Sequence, residues 1–532
     1  MCIVERVRPY VIVLAVIGAV MLVATLAYPF GYDQAVFGVG GEMVLKGAVP
    51  YRDFLDTKQP LIFYLYAAAM WVFGRHEWSI HLLDIVYQLG AAYYFFRILR
   101  RELSAEVALL SASLMLILYA GSGFWMTCEA ESFAILPSLL LVDVTLRTVT
   151  SKRLAKDRFA FQYGLLAGVA VVWLFVLKLT LVLGGFAAMM FVLSRRGITT
   201  KMKWRASIAP TTSSLVLGIA SILALWWMDA LQPFLKSLDW LRHYSSIGGG
   251  ESIFAIVFLT FPERLIYSTS VSLFLLGVFG IYFWVKQKRA DRPTPLLTLL
   301  FLTGFFQLLG VLAERKIEFP YQYTRALWAF TPFMALGLTA LLRSLKKIRK
   351  LGGALRIALC VISILCILLL SPLTRIFSQT IPWATIALSN ESTAPEVQHR
   401  VPDYFAEEQH HVADYLTKRM SDNDQFFFWG NDVGVYFFAN KLPQTICLTA
   451  TPFRSTGTPI EWNNRLLNQL TDAPPKYFIS EFGDAKPYIT GSLLDSRQAL
   501  FAWDGLETFL ISRYKPDTTI GHFQIFHHLS EP

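Results

Sequence analysis

Long apolar runs, separated by short polar stretches, cover most of the chain up to about residue 372. About eleven of them are long enough to cross roughly 30 Å of hydrocarbon as helices. They lie near residues 9–28, 79–99, 104–121, 132–149, 160–177, 179–194, 206–230, 265–285, 295–313, 324–342 and 353–372. A further run from Pro60 to Gly74 is short for a crossing and favours a re-entrant or interface-lying helix. The pattern predicts an α-helical polytopic membrane protein.

The pattern changes after Pro382, beyond which no apolar run reaches membrane length. A helix-like segment at 406–420 is followed by strand-like runs at 425–430, 476–480 and 522–526. This alternation predicts a small soluble α/β domain. We therefore expect a membrane domain over residues 1–380, with a first outward loop at 29–78, and a soluble C-terminal domain over residues 381–532.

Composition and charge support this picture and set its orientation. The chain is 55% hydrophobic and only 16% charged, as expected of an integral membrane protein. Its net charge of +10 comes from Lys and Arg clusters that recur on one side of the predicted spans. The positive-inside rule makes that side and the N-terminus cytoplasmic, and puts the first loop and the C-terminal domain outside the cell. The same clustering argues against nucleic-acid binding.

The first outward loop is unusually rich in charge for a segment held close to a bilayer. It contains Asp33, Glu42, Lys46, Arg52, Asp53, Asp56 and Lys58. Charges in such a position indicate a functional site. Apolar residues at helical spacing between Asp33 and Gly47 predict an amphipathic helix on the membrane that Gly47 ends, and Asp33 at its N-terminus could simply be a cap. Solvated surface charge is the competing explanation for Lys46, Arg52 and Asp53.

Other outward positions carry candidate chemistry as well. Glu129 and Glu131 lie in a turn between spans, Lys178 interrupts an apolar run, and Arg325 lies at the mouth of a span behind Tyr321. Each has a structural alternative: a helix dipole for the acids, snorkelling for the lysine and an interfacial belt for the tyrosine. Transfer of a group from a lipid carrier needs a base and cations for the departing phosphate, and these residue types supply both. The cysteines show no zinc or disulfide spacing.

The order of these motifs resembles a known family. An Asp follows the first span, and later outward segments hold a Lys at the end of a span and an aromatic loop. The motifs read Gly47-Ala48-Val49-Pro50-Tyr51-Arg52-Asp53-Phe54, Lys58-Gln59-Pro60-Leu61, Glu129-Ala130-Glu131-Ser132-Phe133 and Pro320-Tyr321-Gln322-Tyr323. Over residues 9–345 the chain resembles the GT-C superfamily of polytopic glycosyltransferases, within it the protein O-mannosyltransferase, ArnT and RgtA/B/C/D-like bacterial group.

The resemblance implies transfer of a sugar, with inversion, from a polyprenyl-phosphate-linked donor. The acceptor would be an envelope glycan such as lipopolysaccharide, a lipid or a protein, on the extracytoplasmic face of the bacterial inner (plasma) membrane. By matching position, Asp33 is the expected catalytic acid of the first loop and Glu131 that of the second, with Glu129 as a competing match. The expected substrate contacts are Lys58 for phosphate, together with Tyr51, Arg52, Lys178, Tyr321, Gln322 and Arg325.

The chain departs from the family in two places. Gln322 stands where a His is usual, and the Arg typical at the start of the second span is either replaced by His81 or absent. No cofactor is assigned, and a divalent metal ion oriented by Glu131 is an open alternative. A transporter or flippase of lipid-linked sugars is the alternative function, because it would need the same outward cations. Transporters usually show internal repeats and mid-membrane polar groups, whereas the mid-span ionisable residues here are few, chiefly Asp84 and Asp143.

Overall fold

The computed structural model describes residues 8–150, 157–195, 199–247, 253–288, 294–315, 317–347 and 406–529. These residues form two compact units. The helical unit consists of the described residues within 1–28, 81–220 and 253–384, and the mixed unit of those within 29–80, 221–252 and 385–532. The predicted span at 353–372 and the predicted boundary at 380 lie outside the described residues and stay predictions.

Helices make up nearly all of the described chain before residue 348. In chain order they are α1 Pro9–Ala24, α2 Tyr32–Leu45, α3 Leu61–Phe73, α4 Glu77–Leu99, α5 Ala105–Ala120, α6 Ile135–Thr150, α7 Asp157–Leu177, α8 Leu183–Ser194, α9 Thr200–Trp227, α10 Leu231–Tyr244, α11 Ile253–Ala255, α12 Phe261–Thr269, α13 Val271–Lys288, α14 Pro295–Glu314 and α15 Tyr321–Lys347. Short 3₁₀ helices lie at Phe124–Met126, Ser132–Ala134 and Leu179–Val182, and a π-helix lies at Ile256–Thr260.

Six helical segments within the described residues are long and apolar enough to cross a membrane. They are Pro9–Ala27, Glu77–Leu99, Ser132–Thr150, Thr200–Trp227, Pro295–Glu314 and Tyr321–Ser344. A seventh span results if Ile256–Thr269 and Val271–Lys286, which meet at a bend of 100°, are counted as one. Shorter apolar helices occupy the runs predicted at 104–121, 160–177 and 179–194. The protein is therefore a multi-pass membrane protein, but the predicted count of eleven spans is not confirmed.

Small residues let the helices of the helical unit approach closely. Gly280 of α13 lies against the carbonyl oxygen of Phe333, and Gly337 of α15 lies against that of Leu276, with no room for a Cβ at either glycine. Lipid gives no hydrophobic reason for helices to associate, so close backbone packing of this kind supplies much of the attraction. The α13–α15 crossing therefore depends on glycine at both positions.

The mid-span acid Asp143 has a structural explanation. Its carboxylate accepts hydrogen bonds from Arg101 and Arg147, the latter at 2.9 Å from Nε, and from the hydroxyl of Tyr94 at 2.7 Å. Two cations and a phenol compensate one nearly buried carboxylate. Asp143, in α6, therefore connects its own helix to α4 through Tyr94 and to the turn after α4 through Arg101.

The mixed unit contains α2, α3, α10 and the C-terminal region. Its later helices are α16 Ala406–Thr417, α17 Gly434–Phe438, α18 Thr451–Arg454, α19 Ile460–Asp472, α20 Pro487–Thr490, α21 Ser496–Phe501 and α22 Asp504–Arg513. Its strands are β1 Phe426–Trp429, β2 Tyr477–Glu481, β3 Tyr514–Ile520 and β4 Phe523–His528. The predicted alternation of helices and strands is thus present, with β1, β2 and β4 at the three strand-like runs.

The four strands form one sheet of order β1-β2-β4-β3. Strands β1 and β2 are parallel, with Phe426 opposite Tyr477, while β2–β4 and β4–β3 are antiparallel. β1 and β2 are buried throughout, whereas most of β3 is exposed. The sequence did not predict β3, because its edge segment contains Pro516 and lacks an apolar alternation.

Candidate functional site

Asp33 lies in the first turn of α2, but it is not the cap of that helix. Gly31 occupies the cap position, and its backbone N–H donates to Oε1 of Gln34 at 2.7 Å. The capping explanation for Asp33 is therefore wrong. The predicted end of the helix is confirmed, since α2 stops at Leu45 and Gly47 has a φ of +92°, which favours glycine.

The prediction that α2 lies amphipathically on the membrane is also wrong. Every residue from Gln34 to Met43 is buried, so both faces of the helix are covered. Gly41 packs against α3, where a Cβ would come within 2.9 Å of the backbone nitrogen of Ala67. Arg75 covers Glu42 through a 2.8 Å ion pair. Burial on all sides fixes α2 and therefore the direction of Asp33.

Asp33 forms an ion pair with Lys58. The lysine Nζ donates to Oδ2 of Asp33 at 2.9 Å, and the same ammonium lies 5.4 Å from the ring centre of Phe37. The Asp33 side chain is 40% exposed, whereas that of Lys58 is 16% exposed. The carboxylate is thus the accessible member of the pair, and the lysine is the member whose position the surrounding protein restricts.

The backbone around Lys58 is held from two directions. Tyr51, which is buried, donates its hydroxyl to the carbonyl oxygen of Lys58 at 2.5 Å, and the N–H of Lys58 donates to Oδ1 of Asp56 at 2.7 Å. The loop is also fixed to the C-terminal region, because the N–H of Leu55 donates to the carbonyl of Ile446 at 2.9 Å. Tyr51, which was predicted to contact substrate, therefore holds the backbone of Lys58 in place through this hydrogen bond.

Two ionisable groups near the pair, Asp56 and Tyr244, have pKa values that their own burial raises. Burial raises the pKa of Asp56 to about 6, although the backbone N–H and the charge of Lys58 act in the opposite direction. Burial also raises the pKa of Tyr244, from α10, and that tyrosine interacts electrostatically with Lys58, Asp33 and Tyr488. The mixed unit therefore gathers acid, ammonium and phenol groups from the first loop, α10 and α20 into one region.

Arg52 does not join the Asp33–Lys58 pair. Its guanidinium binds Asp53 through Nε at 3.0 Å and Nη2 at 2.8 Å, and Nη1 reaches the carbonyl of Met228 at 3.3 Å. The Arg52 carbonyl accepts from Arg465 at 2.7 Å. These contacts link the first loop to the residue that follows α9 and to the C-terminal region, so the charges of Arg52 and Asp53 have a structural role.

A second set of candidates meets within the helical unit. Oε1 of Glu131 accepts from Nζ of Lys178 at 2.7 Å and from Nη2 of Arg325 at 2.6 Å. Glu314 binds the same two cations, with its Oε2 at 2.6 Å from Lys178 Nζ and its Oε1 at 2.7 Å from Arg325 Nη2. Thr180 donates to Glu314 and accepts from Nη1 of Arg325 at 2.8 Å. We call Glu131, Lys178, Glu314 and Arg325 the four-charge cluster; two carboxylates and two cations give it no net charge.

Two members of the four-charge cluster, Glu131 and Lys178, lie where regular helix is interrupted. Lys178 lies between α7 and the short helix Leu179–Val182, and Leu181 is held by a 2.9 Å hydrogen bond from Gln307 to its carbonyl. Glu131 directly precedes the short helix Ser132–Ala134. Because polar backbone in a membrane must be satisfied internally, such breaks are expected where side chains or a cavity replace the helical hydrogen bonds.

The carboxylate of Asp84 stabilises the turn around Glu131 through two intermediate side chains. Its carboxylate accepts from the Tyr119 hydroxyl at 2.5 Å and from the Gln88 amide at 3.0 Å. Tyr119 in turn accepts from the N–H of Cys128 at 3.1 Å, and Gln88 donates to the carbonyl of Ser132 at 3.1 Å. Asp84 is thus an internal support for the second acidic turn.

The remaining predicted residues have different surroundings. Glu129 is buried in the same turn, and its N–H donates to the Ser132 hydroxyl at 3.1 Å. The ring of Tyr321 lies 5.9 Å from Nζ of Lys178, and Gln322 is buried in the next position. His81 is buried beside Cys128, with 3.2 Å between Nδ1 and Sγ. Tyr321 is therefore adjacent to the four-charge cluster.

The described residues do not fit a divalent metal at Glu131. Its carboxylate already contacts two cations, which would repel a metal ion. Within the described ranges, no group of three His, Cys, Asp or Glu side chains has a metal-binding arrangement.

Sequence reasoning missed Glu314 and Thr180, which complete the four-charge cluster. A signal was present, because Glu314 ends a predicted span on the outward side, as Lys178 does. The Asp33–Lys58 pair and the four-charge cluster lie in different units, and the prediction that both face the outside of the cell stays a prediction.

Comparison with known proteins supports the predicted resemblance. Residues 57–227 match the family described as dolichyl-phosphate-mannose-protein mannosyltransferase. The fold is similar to that of ArnT from Cupriavidus metallidurans bound to undecaprenyl phosphate, with a TM-score of 0.59 and 12% identity over 98% of each chain. The same enzyme in the apo state gives a TM-score of 0.59 and 12% identity over 97% of each chain.

An archaeal oligosaccharyltransferase is also similar. AglB from Archaeoglobus fulgidus, in complex with an inhibitory peptide and a dolichol-phosphate, gives a TM-score of 0.50 and 12% identity over 98% of this chain and 75% of AglB. No curated protein matches the sequence. The predicted GT-C resemblance and the helical membrane fold with a small C-terminal sheet are confirmed.

Proposed function

We propose that this protein is a membrane glycosyltransferase that moves a sugar from a polyprenyl-phosphate-linked donor to an envelope glycan, lipid or protein acceptor. The reaction takes place on the extracytoplasmic face of a bacterial inner membrane. The observation that carries the proposal is the Asp33–Lys58 pair, an accessible carboxylate beside a restrained ammonium at 2.9 Å. The match to the mannosyltransferase family and the ArnT-like fold support the same class of reaction.

The pair supplies the two functions that this chemistry needs. When the donor phosphate arrives, the Lys58 ammonium binds it and releases Asp33 to accept the proton of the acceptor hydroxyl. The hydroxyl oxygen then attacks the anomeric carbon from the side opposite the phosphate. The bond from this carbon to the phosphate oxygen breaks, its electron pair leaves on the polyprenyl phosphate, and the configuration inverts.

The four-charge cluster has a distinct role in the proposal. The Lys178 side chain is 15% exposed, whereas that of Arg325 is fully buried and bound to two carboxylates. Lys178 is therefore the cation that an anionic substrate group reaches, beside the Tyr321 ring. Arg325 holds Glu131 and Glu314 in place, and we do not assign it a direct phosphate contact.

A transfer assay tests the proposal. Purified protein in proteoliposomes is given polyprenyl-phosphate sugars and an envelope extract, and sugar on the acceptor is measured by mass spectrometry. Asp33→Asn should lower the rate by about 100-fold or more, because general bases contribute about 10²–10⁴-fold. Asp472→Asn, at an exposed carboxylate in α19, is the matched control and should transfer normally.

Lys58→Met tests the second role, and it should weaken donor binding in the same assay. Full activity of Asp33→Asn would remove Asp33 from the mechanism. Movement of intact lipid-linked sugar across the bilayer, without new acceptor bonds, would instead favour a flippase.

A further inference from the structure

A lysine of the C-terminal region reaches the helix that carries Asp33. Nζ of Lys486 lies 3.4 Å from the ring centre of Tyr32, the residue directly before Asp33. Both residues belong to the mixed unit. Lys486 directly precedes α20, which begins at Pro487 and is followed by Gly491 at a φ of +73°. A cation at this distance from an aromatic face is strongly attracted to it.

Burial lowers the pKa of the Lys486 ammonium, and three nearby buried acids oppose that shift. Asp432, Glu481 and Asp484 all interact electrostatically with the lysine, and all three are buried. Asp484 is fixed by Arg454 at 3.0 Å and by the Ser496 hydroxyl at 2.7 Å. The Lys486 ammonium makes no hydrogen bond or ion pair with any residue in the described ranges, so the acids act on it at longer range. The Tyr32 ring is the direct contact of its ammonium.

We propose that Lys486 is a positioning residue for Asp33, acting through a cation–π contact with Tyr32. The inference rests on the proposed function, because it concerns the carboxylate assigned there as the base. Tyr32 and Asp33 are the first two residues of α2, so fixing the Tyr32 ring fixes the first turn and the direction of the next side chain. Lys58 restrains the Asp33 carboxylate, and Lys486 restrains the backbone beside it through the Tyr32 ring.

This contact gives the C-terminal region a part in the transfer reaction. The α/β region is then more than a soluble appendage, because one of its side chains sets the geometry of the first outward loop. A lysine that only positions the base should leave donor affinity unchanged and alter the rate of the chemical step. Arginine also binds aromatic faces, so it should replace Lys486.

Substitutions at the two partners test the proposal in the proteoliposome transfer assay. Lys486→Met should lower kcat about 5- to 30-fold, the range that a partly desolvated cation–π contact supports. The KM for the lipid-linked donor should stay within about twofold, because the ammonium touches no substrate. Lys486→Arg should restore most of the rate. Lys418→Met, at an exposed lysine following α16, is the control and should behave as the unmodified protein.

A double-mutant cycle separates the contact from general damage to the fold. Tyr32→Leu should lower kcat by a similar factor, and the Lys486→Met/Tyr32→Leu double variant should be no slower than either single variant. Additive effects in the cycle, or an unchanged kcat for Lys486→Met, would overturn the inference. A raised donor KM for Lys486→Met would overturn it as well and indicate a direct substrate contact. Failure of the proposed function itself shows differently, as absence of transfer by the unmodified protein.

Discussion

The four-charge cluster makes a quantitative prediction about Arg325. Its guanidinium is fully buried and binds Glu131 at 2.6 Å, Glu314 at 2.7 Å and Thr180 at 2.8 Å. Replacing it with Met keeps an apolar stem of similar length but removes one of two positive charges. Two carboxylates would then share Lys178, and the cluster would change from no net charge to −1.

The expected loss of stability follows from this uncompensated charge. Removal of one partner from a buried ion pair costs about 3–5 kcal/mol, because the remaining charge loses its compensation while it stays desolvated. Arg325→Met should therefore lower the free energy of unfolding of the purified protein in detergent by about that amount. Thermal unfolding followed by near-UV circular dichroism would measure the change.

Two further variants make the test specific. Arg343→Met removes an exposed arginine from the same helix and should change stability by less than about 0.5 kcal/mol. Adding Glu314→Gln to Arg325→Met restores a neutral cluster, with Glu131 and Lys178 still paired, and should recover more than half of the loss. If the single variant were as stable as the unmodified protein, or if the added Glu314→Gln made it worse, charge compensation would not be the role of Arg325.

Three other changes test separate parts of the structure. Burial raises the pKa of Asp432 to about 7, whereas the carboxyl of the unfolded chain titrates near 4. The free energy of unfolding should therefore fall as the pH rises from about 4 to 7, because the unfolded chain loses this proton first. Asp432→Asn should weaken that pH dependence, which unfolding measured at several pH values would show. Gly337→Ala should lower the unfolding midpoint in detergent by forcing a Cβ against the Leu276 carbonyl, a clash worth about 1–3 kcal/mol. Tyr51→Phe should cost about 1 kcal/mol, read from thermal unfolding, by removing the donor to the Lys58 carbonyl.

The fold class could be predicted from the sequence because membrane burial leaves a strong linear signal. Apolar runs marked the spans at the start and end of the helical unit, and the charged residues marked the loops. The number of spans was harder, since α5, α7 and α8 are apolar but shorter than a full crossing. Run length alone does not distinguish a crossing helix from one that ends within the bundle.

The candidate residues were predicted, whereas several of their partners were not. Asp33, Lys58, Glu131 and Lys178 stood out because charge is costly beside lipid. Lys486 gave no such signal, because a lysine in a polar α/β region is ordinary in sequence.

A polytopic membrane fold with charged turns and a small α/β region could be inferred from the amino-acid sequence alone. The pairing of Asp33 with Lys58, the pairing of Arg52 with its neighbour Asp53, and the enclosure of Arg325 by Glu131 and Glu314 are visible only in the folded protein. Hydrophobic burial acts on local segments and therefore leaves a periodic pattern in the sequence. The pairing of charges acts between segments that are distant in the chain, so it depends on where packing brings them.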